Sequence, residues 1–242
     1  MTLLLLAGTH EAQQIAERLA DAGHAAIASL AGATQSPRPM RVPSRVGGFG
    51  GDTGFARFLD EAGITAVLDA THPFAARMSD RAARLSVAQG VPYCQILRPG
   101  WRPGPSDRWT MIARAEEAAA HIPTGATVFL ATGRQGLMGF SNLRGRRLIC
   151  RVIDPPDAPF PLDNGEFLVG RPPFSADAEY ALFKRLNIDW LVVKNAGGRA
   201  SEAKLDAARG LGLPVAMIER PPQPDAMRVT TVSEAMEWVR SL

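Results

Sequence analysis

Short apolar runs alternate with amphipathic stretches along nearly the whole chain. The first run covers residues 3–7, and in the stretch after it Ile15, Leu19 and Ala22 share one face of a helix. Such alternation is typical of α/β proteins, in which helical crossovers join the strands of parallel sheets. It predicts strands near residues 3–7, 25–30, 42–46, 65–69, 92–97, 109–112, 126–131, 147–152, 189–194 and 214–218. It predicts helices near residues 11–22, 52–62, 74–89, 114–121, 135–142, 175–187, 201–211 and 233–241.

A segment rich in proline and glycine divides this pattern. Residues 98–105 read Arg-Pro-Gly-Trp-Arg-Pro-Gly-Pro, which regular structure does not tolerate. A chain of 242 residues suits one large domain or two small ones. We therefore expect two parallel sheets, one within residues 1–98 and one within residues 99–242, with a cleft between them.

Composition and charge exclude several classes of function. The net charge is +3 and the pI about 9.2, and no block of like charges is interleaved with aromatic residues, so we predict no binding to nucleic acid. No apolar stretch approaches the roughly 18 residues that span a membrane. No basic segment precedes residues 3–6, which we therefore expect to form a strand and not a signal peptide. The pattern indicates no oligomeric state.

The two cysteines lie far apart in predicted strands. Cys94 and Cys150 are expected to behave as small buried hydrophobic residues in a reducing, cytoplasmic environment. No cluster of cysteine and histidine has the spacing of metal ligands, so no metal site is predicted.

The most informative segment reads Asp-Ala-Thr-His-Pro-Phe-Ala over residues 69–75, directly after a predicted strand. Pro73 is expected in the first turn of the next helix, where its missing N–H would have had no partner. Open α/β sheets bind ligands at the carboxyl ends of their strands. We therefore predict that Thr71, His72 and Phe74 contact a bound cofactor. An ordinary strand-to-helix turn with a capping threonine is the alternative.

A second loop of this kind follows the first strand and contains Gly8, Thr9 and Glu11. The N-terminus of a helix offers backbone N–H groups and a positive dipole end to a phosphate. Only one of the three glycines of the usual dinucleotide fingerprint is present. We predict that all three residues bind the cofactor.

Two further loops follow strands in the second half of the chain. One contains Thr132, Gly133 and Arg134, and the other begins with Lys194 and Asn195 before a glycine pair. Arginine binds a phosphate or a carboxylate bidentately, although an exposed surface arginine is the alternative here. All five residues are predicted to bind the cofactor.

Lys194 stands out because only three of the 27 lysines and arginines are lysines. Lys184 and Lys204 are expected on exposed faces of helices, whereas Lys194 ends an apolar strand. Lysine is a compact charge on a flexible stem, which suits it to a phosphate or a polarised group. We predict a site role for Lys194; the alternative is a strand-end lysine that reaches solvent.

The segment from residue 22 to residue 51 contains no acidic residue, and it contains Arg38, Arg41 and Arg45. Folds that select NAD place Asp or Glu after the second strand to hold the ribose hydroxyl, whereas arginine accepts the 2′-phosphate of NADP. If the cofactor is a dinucleotide, the segment therefore favours NADPH. Glycine lets the backbone come close to phosphates, and a flexible glycine loop is the alternative. The residues predicted to approach the phosphates here are Ser44, Arg45, Gly47 and Gly48.

Together these motifs resemble the precorrin-6A reductase family of cobalamin biosynthesis. The resemblance covers nearly the whole chain and is carried by Leu-Ala-Gly-Thr-His-Glu at 6–11, the motif at 69–75, Thr-Gly-Arg at 132–134 and Lys-Asn-Ala-Gly-Gly at 194–198. It implies an NADPH-dependent oxidoreductase that reduces one carbon–carbon double bond of precorrin-6A, a polycarboxylate tetrapyrrole, to give precorrin-6B. It also implies two Rossmann-like domains. The one at 1–98 would bind the cofactor, and the one at 99–242 would complete the cleft for cofactor and substrate.

Hydride transfer from a nicotinamide requires positioning and charge stabilisation, but no metal or protein nucleophile. The reduction also requires a proton, for which His72 and Lys194 are the candidate catalytic residues and water is an equal alternative. Two other functions stay open. One is an NADP-binding sensor or scaffold without catalysis. The other is a nucleotide-using transferase, which would need a nucleophile or Mg²⁺-binding carboxylates; the nearest acid, Asp69, is expected to be structural.

Overall fold

The computed structural model describes residues 1–32 and 38–242 and shows an α/β protein with two compact units. One unit comprises Met1–Pro99 and Pro221–Leu242, and the other comprises Gly100–Arg220. Residues 33–37, which belong to the acid-free segment, lie outside the described residues.

The elements follow one another in the alternating order that the hydrophobic pattern predicts. The first unit begins with β1 (Leu3–Leu6), α1 (His10–Asp21), β2 (Ala26–Leu30), β3 (Ser44–Val46), α2 (Asp52–Glu61), β4 (Ala66–Asp69), α3 (Ala76–Ala88) and β5 (Tyr93–Ile96). The second contains β6 (Arg108–Ile112), β7 (Thr127–Ala131), β8 (Arg147–Val152), β9 (Gly165–Val169), α4 (Ala176–Arg185), β10 (Trp190–Lys194), α5 (Ala203–Leu211) and β11 (Pro214–Ile218). The chain then returns to the first unit with β12 (Arg228–Val229) and α6 (Val232–Arg240).

Parallel strands form the sheet of the first unit in the order β3-β2-β1-β4-β5-β12. Every residue of β1 is a buried leucine, because both faces of a parallel sheet are covered. Leu3 and Leu5 belong to the core cluster of α1 and α6, and Leu4 and Leu6 belong to that of α2 and α3. One leucine run thus supplies both sides of the core, since successive side chains of a strand point to opposite faces.

The sheet of the second unit repeats this arrangement in the order β9-β8-β7-β10-β11-β6, again with parallel neighbours. Its outer strand beside β11 comes from the beginning of the unit, whereas the corresponding β12 of the first sheet comes from the end of the chain. Phe129, Leu191 and Val193 share a core cluster with Phe183 of α4 and Leu205 of α5.

In each sheet the strand order reverses near the middle, between β1 and β4 in the first sheet and between β7 and β10 in the second. The carboxyl ends of the strands at such a switch point are where open α/β sheets bind their ligands. The loops after these four strands are the four loops that carry the predicted motifs. The topology therefore places all four motifs at switch points.

The prediction that the second domain runs from residue 99 to residue 242 is wrong at its end. β12 pairs with β5 through Arg228↔Gln95 and Val229↔Ile96, and α6 belongs to the same core cluster as α1. Pro221–Leu242 therefore completes the first unit. A two-residue strand carries too little periodicity to reveal this return in the sequence.

Other predicted elements also differ from the structure. The helices expected near 114–121 and 135–142 are 3-10 helices at Ala115–Ala120 and Leu137–Phe140. β9 is not predicted at all, because it is a partly buried edge strand without a clear apolar run. The placement of Pro73 in the first turn of α3 is wrong. The Ala75 N–H donates to the His72 carbonyl at 2.7 Å, which closes a turn around Pro73 before the helix begins at Ala76.

Candidate functional site

A buried carboxylate holds the loop after β4. Asp69, the last residue of β4, accepts the Thr71 N–H at 2.9 Å through one oxygen and the Tyr93 hydroxyl at 2.8 Å through the other. Asp69 is fully buried. Burial and the neighbouring carboxylate raise the pKa of Tyr93, so its hydroxyl stays a neutral donor. Asp69 therefore has a structural role, in which it fixes where the loop leaves the sheet.

His72 and Phe74 form the outer part of this loop. Both are half-buried, and the centres of their rings lie 5.7 Å apart. The Phe74 N–H donates to His72 Nδ1 at 3.2 Å, so the proton of the neutral imidazole is on Nε2. The Thr71 hydroxyl lies 3.3 Å from the hydroxyl of Ser79 in α3. The loop thus holds one tautomer of His72, with Nε2 as the donor.

The β1 loop is tied to the β4 loop at the switch point of the first sheet. Thr9 is the N-cap of α1: its hydroxyl oxygen accepts the Ala12 N–H at 3.2 Å, and its O–H donates to the Ala70 carbonyl at 2.8 Å. Gly8 precedes it with φ 149°, which favours glycine. A Cβ on Gly8 would meet nothing within 4 Å. Open space therefore lies beside the N-terminus of α1.

Glu11 lies in the first turn of α1 and pairs with Arg98 at 2.9 Å. The Glu11 and Arg98 side chains are 21% and 14% exposed. Burial lowers the pKa of Arg98, and the neighbouring carboxylate opposes that shift. The ion pair neutralises an acid that would otherwise repel a phosphate from the helix N-terminus. Arg98 is not among the predicted site residues, because it lies in the segment rich in proline and glycine, which predicts only a domain crossing.

Arg45 organises the glycine loop after β3. Its guanidinium donates to the Ser29 hydroxyl at 2.8 Å and to the carbonyls of Gly47 and Gly48 at 3.0 and 2.9 Å. It also lies 4.2 Å from the centre of the Phe49 ring, a cation–π contact. Because Ser29 belongs to β2, Arg45 lies near the end of the strand after which NAD-selecting folds place an acid.

Arg41, from the same acid-free segment, lies in a different contact. Arg41 pairs with Asp21 at 2.7 Å, and Asp21 ends α1. Since α1 starts at the ligand edge of the sheet, its last residue lies at the opposite edge. The expectation that Arg41 stands near a 2′-phosphate is therefore wrong. Arg38 is exposed, and so is Ser44, which begins β3.

Thr132, which follows β7 in the second unit, carries a buried hydroxyl. The residue is 8% exposed, and its Oγ1 has no hydrogen-bond partner within residues 1–32 and 38–242. Leaving such a bond unmade costs about 1–3 kcal/mol. Gly133 follows with φ 72°, and a Cβ there would meet nothing within 4 Å. A ligand atom at this edge would supply the partner that the hydroxyl lacks.

Arg134 continues this loop and is exposed. The helix expected directly after it is only the four-residue 3-10 helix Leu137–Phe140. A helix dipole therefore adds little to anion binding at this loop, and any such binding depends on side chains.

Lys194 ends β10 beside Thr132. The ladder between the two strands ends at Val193↔Ala131, so Lys194 and Thr132 are the residues that directly follow its last pair. Lys194 is half-buried, and burial lowers its pKa, an effect that nearby Cys150 partly opposes. The second switch point thus combines a half-buried ammonium with the buried Thr132 hydroxyl.

Asn195 fixes the backbone of its own unit. Its Oδ1 accepts the Trp101 N–H at 2.8 Å and its Nδ2 donates to the Trp101 carbonyl at 3.0 Å. Arg220 donates to the Asn195 and Ala196 carbonyls at 2.8 and 3.0 Å. The structure therefore assigns the Asn195 amide to the segment that begins the second unit. Trp101 and Arg220 are not among the predicted site residues, although Trp101 follows Gly100 and Arg220 precedes Pro221 at the two ends of this unit.

Lys204 is not the exposed helix lysine that the sequence predicts. It donates to the Ser201 carbonyl and lies 5.6 Å from the centre of the Trp101 ring. Burial lowers its pKa to about 8, and buried Glu179, which is paired with Arg151, opposes the shift. Lys184 is exposed, as predicted.

The predicted residues thus form two groups, each within one unit. At the first switch point lie Gly8, Thr9, Thr71, His72 and Phe74, with Arg45 farther along the same edge. At the second lie Thr132, Gly133, Arg134, Lys194 and Asn195. Within the described ranges no three His, Cys, Asp or Glu residues lie together as metal ligands, and no helix there is long and apolar enough to cross a membrane.

Comparisons with known proteins agree with one another. A family model described as Precorrin-6x reductase CbiJ/CobK matches residues 2–240. A precorrin-6A reductase of Rhodobacter capsulatus is 42% identical over 238 residues, 98% of this chain and 95% of that protein. One of Rhodococcus erythropolis is 43% identical over 243 residues, 99% of this chain and 98% of that protein. A solved structure described as CobK precorrin-6A reductase is 41% identical, with a TM-score of 0.95, and the match covers 100% of this chain and 96% of that one.

Proposed function

The chain belongs to the precorrin-6x reductase family, and we propose that it reduces one carbon–carbon double bond of precorrin-6A with NADPH. The product is precorrin-6B, an intermediate of cobalamin biosynthesis. Bound NADPH supplies the hydride. The observation that supports the assignment to particular residues is that the half-buried Lys194 and the buried, unsatisfied Thr132 hydroxyl lie on the two loops of one switch point.

The first unit has the features that a dinucleotide phosphate needs. Gly8 leaves open space at the N-terminus of α1, and Arg98 neutralises Glu11 there. In our proposal this edge holds the pyrophosphate, Arg45 and its glycine loop hold the 2′-phosphate, and the loop of Thr71, His72 and Phe74 contacts the nicotinamide half. His72 and Lys194 are the proposed sources of the proton, with water as the alternative.

The edge of the second unit has the features of an anion site. Lys194 and Arg134 are cations on adjacent loops, and Thr132 adds a buried donor. Charge-assisted hydrogen bonds of this kind suit a cofactor phosphate or a carboxylate of the substrate. If substitution of one of these residues weakens NADPH binding, the site binds the cofactor phosphate. If turnover falls while NADPH affinity is unchanged, the site binds a carboxylate of the substrate.

We expect NADPH to bind more tightly than NADH through Arg45. Arg45→Ala raises the Kd for NADPH by about tenfold to a hundredfold, because it removes one charged hydrogen bond worth about 1.5–3 kcal/mol. The affinity for NADH is expected to stay unchanged. Titration of nicotinamide fluorescence measures both constants. Arg41→Ala is the matched control, because Arg41 is paired with Asp21. Equal affinities of the natural protein for the two cofactors contradict the assignment.

Thr132→Val is expected to separate stability from function. The substitution keeps the shape and removes a buried hydroxyl without a described partner, so the ligand-free protein gains about 1 kcal/mol of unfolding free energy or stays unchanged. Ligand affinity or turnover falls by about tenfold. Thr132→Ser retains the hydroxyl and should therefore keep normal ligand affinity and turnover. A loss of stability with normal kinetics would show that the hydroxyl serves the fold.

The function itself is tested by substrate-dependent oxidation of NADPH under anaerobic conditions. The reductase consumes NADPH only when precorrin-6A is present. Mass spectrometry should show that the product has two more hydrogen atoms than the substrate. A sensor or scaffold binds NADPH without consuming it.

We also propose a cytoplasmic location, because Cys94 and Cys150 are free thiols, the state that a reducing compartment maintains.

A further inference from the structure

A chain of side-chain amides connects the edge strand of the first sheet to the loop after β4. Arg228 Nε donates to Gln95 Oε1 at 3.2 Å, and Gln95 Nε2 donates to Gln223 Oε1 at 2.9 Å. Gln223 Nε2 then donates to the Pro73 carbonyl at 3.0 Å. Gln95 is 3% exposed within β5. Buried glutamine is uncommon, because its polar groups must all find partners.

The direction of this chain is fixed at both ends. An arginine side chain only donates, so Gln95 presents its oxygen to Arg228 and its NH₂ group to Gln223. At the other end Gln223 Nε2 faces two acceptors, the carbonyls of Pro73 and Pro221, the latter at 2.8 Å. Each amide therefore has a single orientation, and neither turns without breaking bonds on both sides.

The series of hydrogen-bonded amides ends at the turn that carries His72. Pro73 is buried and has no N–H, so its carbonyl is its one backbone hydrogen-bonding group. Gln223 holds this carbonyl, and Asp69 holds the start of the same loop through the Thr71 N–H. The loop between them is therefore fixed from two sides.

We propose that Gln95 and Gln223 are positioning residues of the reductase, which set the place of His72 by holding the Pro73 carbonyl. The structural part of this inference stands on the hydrogen bonds alone. Its catalytic part rests on the function proposed for His72. Because Gln223 lies in Pro221–Leu242, the geometry of the loop after β4 depends on the C-terminal segment that completes the first unit.

Two substitutions of Gln223 test the proposal. Gln223→Met removes every bond of the amide, whereas Gln223→Glu keeps the acceptor for Gln95 and loses the donor to Pro73. Both variants should speed hydrogen exchange in the ligand-free peptide of residues 70–76. Both should lower kcat by roughly 10- to 100-fold, as misplacement of a reacting group does, with little change in the KM for NADPH. Gln89→Met is the matched control, because Gln89 donates to Ala56 and Asp60 at the far end of α3.

Unchanged exchange in both Gln223 variants overturns the proposal, and so does faster exchange with a normal kcat. His72→Asn then locates the error. A fully active His72→Asn means that the function proposed for His72 has failed. An impaired His72→Asn beside normal Gln223 variants means that the loop matters but the amide chain does not position it.

Discussion

Lys194→Met lowers kcat/KM for precorrin-6A by roughly tenfold to a few hundredfold, which corresponds to about 1.5–3 kcal/mol for one charged hydrogen bond. The physical reason is the place of the ammonium, half-buried at the end of β10 beside Thr132. Methionine keeps most of the apolar stem and removes the ammonium, with its charge and its hydrogen-bond donors. Steady-state kinetics and an NADPH titration measure the effect. A fall in NADPH affinity assigns Lys194 to the cofactor, and unchanged affinity with slower turnover assigns it to the macrocycle.

The stability of the natural protein relative to Lys194→Met should change with pH in a defined direction. Burial lowers the pKa of Lys194 below its ordinary value of 10.5, so the folded protein loses this proton at a lower pH than the unfolded chain. Between the lowered pKa and 10.5 the unfolded chain binds more protons, and the natural protein gains stability with rising pH relative to Lys194→Met. If the ammonium is required, kcat/KM falls over the same range. Lys184→Met, at an exposed lysine, should change neither property. Normal binding and turnover in Lys194→Met would return Lys194 to a purely structural role.

His72→Asn is expected to lower kcat by about 100-fold or more, the contribution of a positioned proton donor. Asparagine retains an acceptor for the Phe74 N–H, which bonds His72 Nδ1 at 3.2 Å, so the loop keeps its shape. It cannot replace Nε2 as a proton source. The thermal midpoint and the Kd for NADPH should therefore stay near those of the natural protein.

Two measurements check the interpretation of His72. His24→Asn, between α1 and β2 of the same unit, controls for the loss of a histidine and should leave kcat unchanged. A fully active His72→Asn would assign proton delivery to Lys194 or water. A large loss of stability would instead show that the imidazole holds the fold.

Much of the fold follows from the sequence because its signals are local. The leucine run of β1 and the helical spacing of Ile15 and Leu19 come from neighbouring residues, and both elements are where the pattern predicts. β12 was missed because its two residues are a strand only through pairing with distant β5. The pattern predicts longer helices than the two 3-10 helices that the structure shows, because a helical pattern does not set the number of residues per turn.

The candidate site shows the same division between local and distant information. The glycine and threonine loops could be located because each follows an apolar strand. Their partners could not, since Arg98 pairs with Glu11 and Trp101 binds Asn195 across large separations in sequence. The sequence likewise gives no sign that Arg41 is paired with Asp21 at the end of a helix.

The most direct test of the account follows the hydride itself. Precorrin-6A is incubated with the protein and NADPH that carries deuterium on the transferred position of its nicotinamide, and the product is examined by mass spectrometry and NMR. The account predicts one deuterium on one carbon of the reduced double bond and one solvent hydrogen on the other. A reduced product without deuterium, or no reduction while NADPH remains bound, would contradict it.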